Sequence, residues 1–341
     1  MKFLITVWML TTYVFSLAAF SQPIESELKQ FEDVYQQQLG SIQDCQTSSP
    51  NTFKVCSSAL KNEGNAPFIL HHNMVTEKII VLFHGLSDSP FFLRSIAQSL
   101  YQQGFNVVVA LSPGHGKKEA DVDMEDPNLA DRWRAHVAEI MNLSTGLGEK
   151  VYIGGFSTGG ALAAEYSLKH PSAVNGVLLF SGALAVAPSV EFLNKIWGIQ
   201  WFAKLLDGEY QTIGRNPYKY PKISRFAAFE LLEVIFSVRQ LLVQNDGFAL
   251  PVFSAHSAAD ATTLISGVKN LMDQNRGIND LFEIPQKIDL CHADLVINNQ
   301  QLIDMQFDDS DLIDIMPCDV PKANPKHAQM LLALSQFMAE N

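Results

Sequence analysis

The sequence predicts an α/β fold, one mostly parallel sheet with helices on both faces. Three observations carry that expectation. From Glu77 onward, short runs rich in Ile and Val alternate with longer stretches of helical spacing. The intervening helices are long enough to cross over and return the next strand parallel to the last. One joint in this rhythm, VYIGGFSTGG at Val151–Gly160, sets a lone serine among four glycines.

The chain starts with Lys2 and the apolar run FLITVWMLTTYVFSLAAF, followed by Ser21. One positive charge, an apolar stretch and small residues at Ala19 and Ser21 predict a signal peptide over residues 1–21. A membrane anchor that stays attached is the alternative, because the run matches the shortest spanning helices. No cysteine follows it, so a lipoprotein anchor is not indicated, and no other segment is long and apolar enough to span a bilayer. Residues 22–76 form a polar N-terminal extension, helical over Glu25–Gln38 and then a cysteine-bearing loop rich in Ser, Thr and Asn.

The main domain is expected over residues 77–341. Its strands are Lys78–Phe83 (KIIVLF), Phe105–Ala110, Lys150–Phe156, Val174–Phe180, Val252–Ala255 and Lys287–Cys291. Its helices are Phe91–Gln103, stopped by Gly104, then Asp131–Leu147, Gly159–His170, ended by Pro171, and Thr262–Met272. Residues 184–248 break the rhythm with the aromatic-rich stretches FLNKIWGIQWFAKLL and FELLEVIFSVRQLLV. They read as an extra helical layer on the core, as a cap over an apolar pocket, or as both.

Composition narrows the function. The net charge is −12 and no basic stripe is present, so nucleic acid is not an expected partner. Four cysteines in an exported chain predict two disulfides. Of three possible pairings, sequence neighbours favour Cys45–Cys56 and Cys291–Cys318. The absence of C-x-x-C and H-E-x-x-H spacing leaves zinc ribbon, thioredoxin-type and zincin readings without support.

Gly155-Phe156-Ser157-Thr158-Gly159 is G-x-S-x-G between an expected strand and an expected helix, the setting that gives this motif meaning. A sharp strand-to-helix turn would lift Ser157 above the sheet at a strain cost of about 1–3 kcal/mol. Gly155 and Gly159 then lack side chains because strand and helix pass too close. The helix that follows turns its N-terminal amides towards the site. A nucleophilic serine also needs a base and an oxyanion hole. The N–H of Thr158 is one expected donor. The N–H of Leu86, in the loop LFHGLSDSP, is the other, with His84 propping that loop.

The segments HGLSDSP, SPGHG (Ser112–Gly116) and GGFSTGG together resemble those of the α/β-hydrolases, nearest to serine esterases and monoacylglycerol lipase-like hydrolases. The resemblance covers Glu77 to Asn341. It implies a triad in the chain order serine, acid, histidine, with the acid after the strand that follows the cap. Asp260, at the end of PVFSAHSAAD, stands there; its alternative role is an N-cap for the next helix. Asp246 is a weaker candidate, lying before the strand. For the base, His292 directly follows KIDLC, and His327 opens the last helix in NPKHAQM. The family pattern favours His292, with His327 the alternative. A Cys291–Cys318 bridge would pin the His292 loop.

The resemblance implies hydrolysis of carboxylic esters, of short or medium acyl, monoacylglycerol or lysophospholipid type, through an acyl-enzyme. No cofactor or metal is required. A thioesterase or serine aminopeptidase on the same fold and a catalytically silent binding module are the alternatives. The expected partner is a small ester or lipid-like substrate, with no stable membrane span once the signal is cleaved, and the expected location is periplasmic or secreted. His115 is expected at the mouth of a pocket, Glu119–Asp126 (EADVDMED) as a solvated loop, and His71-His72 at the surface.

Overall fold

The computed structural model describes residues 24–46, 49–188, 210–244, 248–310 and 318–341. The expected signal peptide, the stretch FLNKIWGIQWFAKLL and Asp246 lie outside the described residues.

In chain order the elements are α1 (Glu25–Leu39), β1 (Ile42–Gln43), β2 (Thr52–Lys54), β3 (Cys56–Ser57), β4 (Phe68–Leu70), β5 (Thr76–Phe83), α2 (Arg94–Tyr101), β6 (Asn106–Ala110), α3 (Asp121–Met124), α4 (Leu129–Ser144), β7 (Gly148–Phe156), α5 (Thr158–Lys169) and β8 (Gly176–Phe180). Then follow α6 (Arg225–Gln244), β9 (Val252–Ser257), α7 (Ile265–Gln274), β10 (Asn279–Ile284), α8 (Asn299–Met305) and α9 (His327–Glu340). One sheet runs in the order β10-β9-β8-β7-β5-β6-β4-β2. From β10 to β6 every pairing is parallel, whereas β4 and β2 add antiparallel.

The alternation of side chains along the strands divides the core in two. On β5, Ile79, Val81 and Phe83 face a cluster that includes α1, α4, α5, α6 and α7. Ile80 and Leu82 face the opposite cluster, with Ile96 and Leu100 of α2 and Met330, Leu334 and Phe337 of α9. Both faces are therefore covered, which is why these strands read as unbroken apolar runs. α6, the second aromatic-rich stretch, lies in the helix layer against α5 and α4 and buries Val234, Ile235 and Val238.

The N-terminal extension is built into this body. α1 buries Phe31, Val34, Tyr35 and Leu39. The Tyr35 hydroxyl takes the N–H of Leu111 at 2.8 Å and meets His136 Nε2 at 3.2 Å. β4 and β2 extend the sheet beyond β6. The disulfides are Cys45–Cys56 and Cys291–Cys318. Among the described residues no helix is long and apolar enough to cross a membrane.

Several expectations are corrected. Lys287–Cys291 is not a strand; Gln286–Ile288 is a 3-10 turn and Asp289 is left-handed. The last strand is β10, upstream, and Pro285, which has no N–H to give a ladder, follows it at once. His71 is buried, and His72 stacks on Tyr101, so this pair is not a surface feature. The acidic stretch is not simply solvated either. Asp123 is buried and paired with Lys117 at 2.6 Å and Arg132 at 2.7 Å. His115 is buried, near Trp133 and His84.

Candidate active site

The loops after the carboxyl ends of β5, β7 and β9 and the segment beyond β10 carry the candidate residues. This is the edge where open parallel sheets place their sites. β7 ends at Phe156 and α5 starts at Thr158, so Ser157 alone makes the turn, at φ 53 and ψ −113. Left-handed backbone is costly for a residue with a side chain. Here it is held from two sides: Ser157 N–H donates to Phe180 O at 3.0 Å, and Ser157 O accepts from Ala183 N–H at 2.9 Å. The flanking glycines are required by space. A side chain on Gly159 would begin 1.9 Å from Phe83 O, and one on Gly155 would begin 2.4 Å from the same oxygen.

The Leu86 loop is fixed from below by His84. Its Nε2 accepts the Ser112 N–H at 3.1 Å, so that nitrogen is bare and Nδ1 carries the proton. Nδ1 then donates to Gly85 O at 2.8 Å. Burial, helped by the neighbouring His115, holds the His84 pKa well below the ordinary histidine value. A neutral ring thus ties the loop after β5 to the loop after β6. Neither Leu86 N–H nor Thr158 N–H donates a hydrogen bond among the described residues, so both expected donors are free.

Asp260 lies beyond the end of β9 and is buried. One carboxylate oxygen, Oδ1, accepts the N–H groups of Thr262 and Thr263 at 2.9 and 3.0 Å. The other, Oδ2, meets His292 Nδ1 at 2.6 Å and the Thr263 hydroxyl at 3.1 Å. Burial opposes the charge on Asp260, but the hydrogen bond and charge of His292 and the Thr263 N–H together outweigh it, and the pKa falls below the ordinary value. The alternative N-cap role is corrected: α7 starts at Ile265 with Leu264 at its N-cap, and Asp260 Oδ1 holds the turn before it instead.

His292 is brought to the serine turn as well as to the acid. Its ring lies 4.8 Å, centroid to centroid, from the ring of Phe156, the residue before Ser157. The same Phe156 ring packs against Gly85, where an added side chain would meet it at 2.9 Å. One aromatic ring therefore touches the Leu86 loop, the Ser157 turn and the His292 loop. The Cys291–Cys318 bridge adjoins His292 directly.

His327 is not brought to this cluster. It opens α9, is buried, and shares a hydrogen bond of 3.0 Å with Ser95 Oγ on α2. Burial pulls its pKa down to about 4. Among the described residues no carboxylate lies within ion-pair distance of it.

Two neighbours of Asp260 escaped the sequence reading. His256 Nε2 bonds Thr263 O at 3.0 Å and lies 3.7 Å from Asp260 Oδ2, and Thr263 Oγ1 also reaches His292 Nδ1 at 3.2 Å. Both lie within the stretch SAHSAADATT, so nearness to the acid was the signal available.

The comparisons agree with this geometry at the level of the fold. A structure reported for the metagenome-derived lipolytic enzymes LipS and LipT aligns with a TM-score of 0.56 at 18% identity, covering 70% of this chain and 94% of that one. The monoacylglycerol lipase of Paleococcus ferrophilus aligns with a TM-score of 0.53 at 16% identity, covering 77% and 95%. The chain has the α/β-hydrolase fold. A soluble variant of the Saccharomyces cerevisiae monoglyceride lipase aligns with this chain at a TM-score of 0.51 and 14% identity, covering 87% and 98%. The family model described as serine aminopeptidase, S33, matches residues 75–229. That match takes in Leu86, Ser157 and Thr158 and ends before Asp260, His292 and His327. Lipase 1 of Psychrobacter immobilis is 27% identical over 104 residues, which are 30% of this chain and 31% of that relative.

Proposed function

We propose that this chain is an exported serine hydrolase that cleaves carboxylic esters of the short or medium acyl, monoacylglycerol or lysophospholipid type. The observation that carries the reading is the 2.6 Å pair of Asp260 and His292 beside the Ser157 turn. With Nδ1 donating to Asp260, Nε2 of His292 is the free base. It takes the Ser157 proton during attack on the ester carbonyl and returns it to the leaving alcohol. Asp260 holds the ring in that tautomer and stabilises its protonated form. The N–H groups of Leu86 and Thr158 receive the oxygen that becomes negative in the tetrahedral intermediate. Water then releases the acyl group from Ser157 by the same proton path in reverse.

The names of the lipolytic relatives support ester chemistry. Two disulfides, together with the apolar start of the sequence, support export. The family model's description keeps peptide-bond cleavage as a second reading. The test is hydrolysis of p-nitrophenyl esters from acetate to palmitate, beside aminoacyl and acyl-thioester substrates, by wild type and Ser157→Ala. Ester turnover that vanishes with Ser157→Ala is expected. Turnover confined to aminoacyl or thioester substrates would replace the ester reading. A wild type that is silent on all three and unlabelled by a fluorophosphonate would favour a binding module.

A further inference from the structure

The segment Asn216–Tyr220 (NPYKY) crosses the Leu86 loop, and the reaction above makes no use of it. Tyr220 N–H donates to Ser87 O at 2.8 Å. The Tyr218 ring stacks on Phe91 at 3.7 Å. The Tyr220 hydroxyl donates to Gly114 O at 3.0 Å and accepts the Lys117 N–H at 2.9 Å. The N-terminal extension grips the same strap: Lys61 Nζ donates to Lys219 O at 2.9 Å, and Asn62 donates to Pro217 O at 2.7 Å. Segments far apart in sequence converge on five residues whose one charged group is Lys219.

Lys219 Nζ lies 3.3 Å from Asp88 Oδ1. Asp88 is only 2% exposed, and this oxygen makes no hydrogen bond among the described residues. The other oxygen folds over Gly85, 2.7 Å from where a side chain there would begin. Asp88 N–H closes the turn onto Gly85 O at 3.2 Å, with Ser87 left-handed at φ 65. A buried carboxylate is therefore folded back over Gly85, the residue before Leu86. Its charge, poorly screened there, opposes the negative oxygen that Leu86 is to receive. The Lys219 ammonium cancels it. The Lys219 charge also works against the burial that raises the pKa of Asp294.

We propose that Lys219 is a positioning residue of the oxyanion site: its ammonium neutralises Asp88, and its strap, through the Tyr220–Ser87 bond, keeps the Leu86 N–H aimed. The inference rests on the serine-hydrolase reading above. Lys219 acts through Asp88 and the loop, so its effect belongs to the transition state and leaves ground-state binding alone.

The test is a double-mutant cycle on p-nitrophenyl butyrate with Lys219→Met, Asp88→Asn and the double variant, with Lys219→Arg as the conservative control. Lys219→Met should lower kcat about tenfold or more, with KM changed by less than about threefold. The double variant should regain most of that loss, because it removes the charge left uncompensated, and Lys219→Arg should keep near wild-type kcat. Affinity for an alkylboronic acid, which becomes tetrahedral and anionic on a serine, should fall and return in step with kcat. Unchanged kcat in Lys219→Met, a double variant as slow as the single, or a loss in KM alone would each overturn the proposal. If Lys219→Met does not fold, Lys219→Gln takes its place in the same cycle. An active, fluorophosphonate-labelled wild type with an indifferent Lys219 removes this inference alone. A wild type that neither turns over substrate nor is labelled removes the serine-hydrolase reading and this inference with it.

Discussion

His292 and His327 both belong to the last part of the chain, and each stands at the start of a short apolar stretch. The fold gives them opposite surroundings. The side chain of His292 is 13% exposed, its Nδ1 is bound to a carboxylate, and its ring lies beside the serine turn. His327 is buried between α9 and α2, bonded to a serine hydroxyl, with its pKa drawn down to about 4. An imidazole becomes a general base when one nitrogen is anchored to an anion and the other is left for a proton. It becomes a packing element when both faces are walled in. Neither condition is a property of the residue or of its spacing in sequence.

The sharpest way to break the comparison is to remove each ring in turn. His292→Ala and Ser157→Ala should each lower kcat by about 10⁴–10⁶-fold, while His327→Ala should stay within about tenfold of wild type. Ester turnover by both proteins settles it, and a silent His327→Ala with an active His292→Ala would exchange the two roles. Asp260→Asn comes next. It keeps the shape but offers an N–H to Nδ1, so kcat should fall by about 10²–10⁴-fold with the fold intact by circular dichroism. Retained activity would mean that Asp260 serves its turn alone.

The third prediction compares the two bridges. Cys45–Cys56 spans a sequence separation of 11 and Cys291–Cys318 one of 27. On chain entropy alone they stabilise by about 3 and about 3.5 kcal/mol, nearly the same. Their catalytic effects should differ. Cys291→Ser with Cys318→Ser should lower kcat at a temperature where the protein is still folded, because the bridge adjoins the proposed base. Cys45→Ser with Cys56→Ser should lower Tm and leave kcat unchanged. Equal kcat in the two pairs would show that the His292 loop is held by its other contacts.

The smallest effect is a pH dependence. The folded pKa of His327, about 4, lies below its ordinary value of 6.5. The unfolded chain therefore binds the extra proton first, and stability falls as pH drops from 6.5 towards 4. The loss attributable to this ring is at most about 3 kcal/mol. His327→Gln should flatten the denaturation midpoint across that window, and an unchanged slope would place the acid sensitivity elsewhere.

The parallel strands β5 to β9 were legible because burial on both faces leaves an unbroken apolar run, as in IIVLF. β10 was not. NDLFEI is an edge strand with charged, partly exposed positions, while KIDLC beyond it mimics a strand through Ile288 and Leu290. Ser157 was legible because two of its glycines, Gly155 and Gly159, have one spatial cause, the passage of β5 and α5 past each other. The choice between His292 and His327 was not, since it depends on which ring meets Asp260, a contact across the fold. The same holds for Asp123, His71 and the strap. NPYKY looks like any turn-rich loop, and its partners at Lys61, Ser87, Asp88 and Gly114 lie far away in the sequence.

The strand order also decides what a ribosome-bound chain has to wait for. β2 and β4, made early, can pair with each other but have no place on the main sheet until β6 has emerged. The centre of the sheet must zip through non-local parallel pairs before either flank can close, a slow route that leaves apolar edges exposed. Cys45 and Cys56, by contrast, are close enough in sequence to find each other without any of it. A chain of this protein that meets an oxidant early would close this local loop before the centre of its sheet has formed.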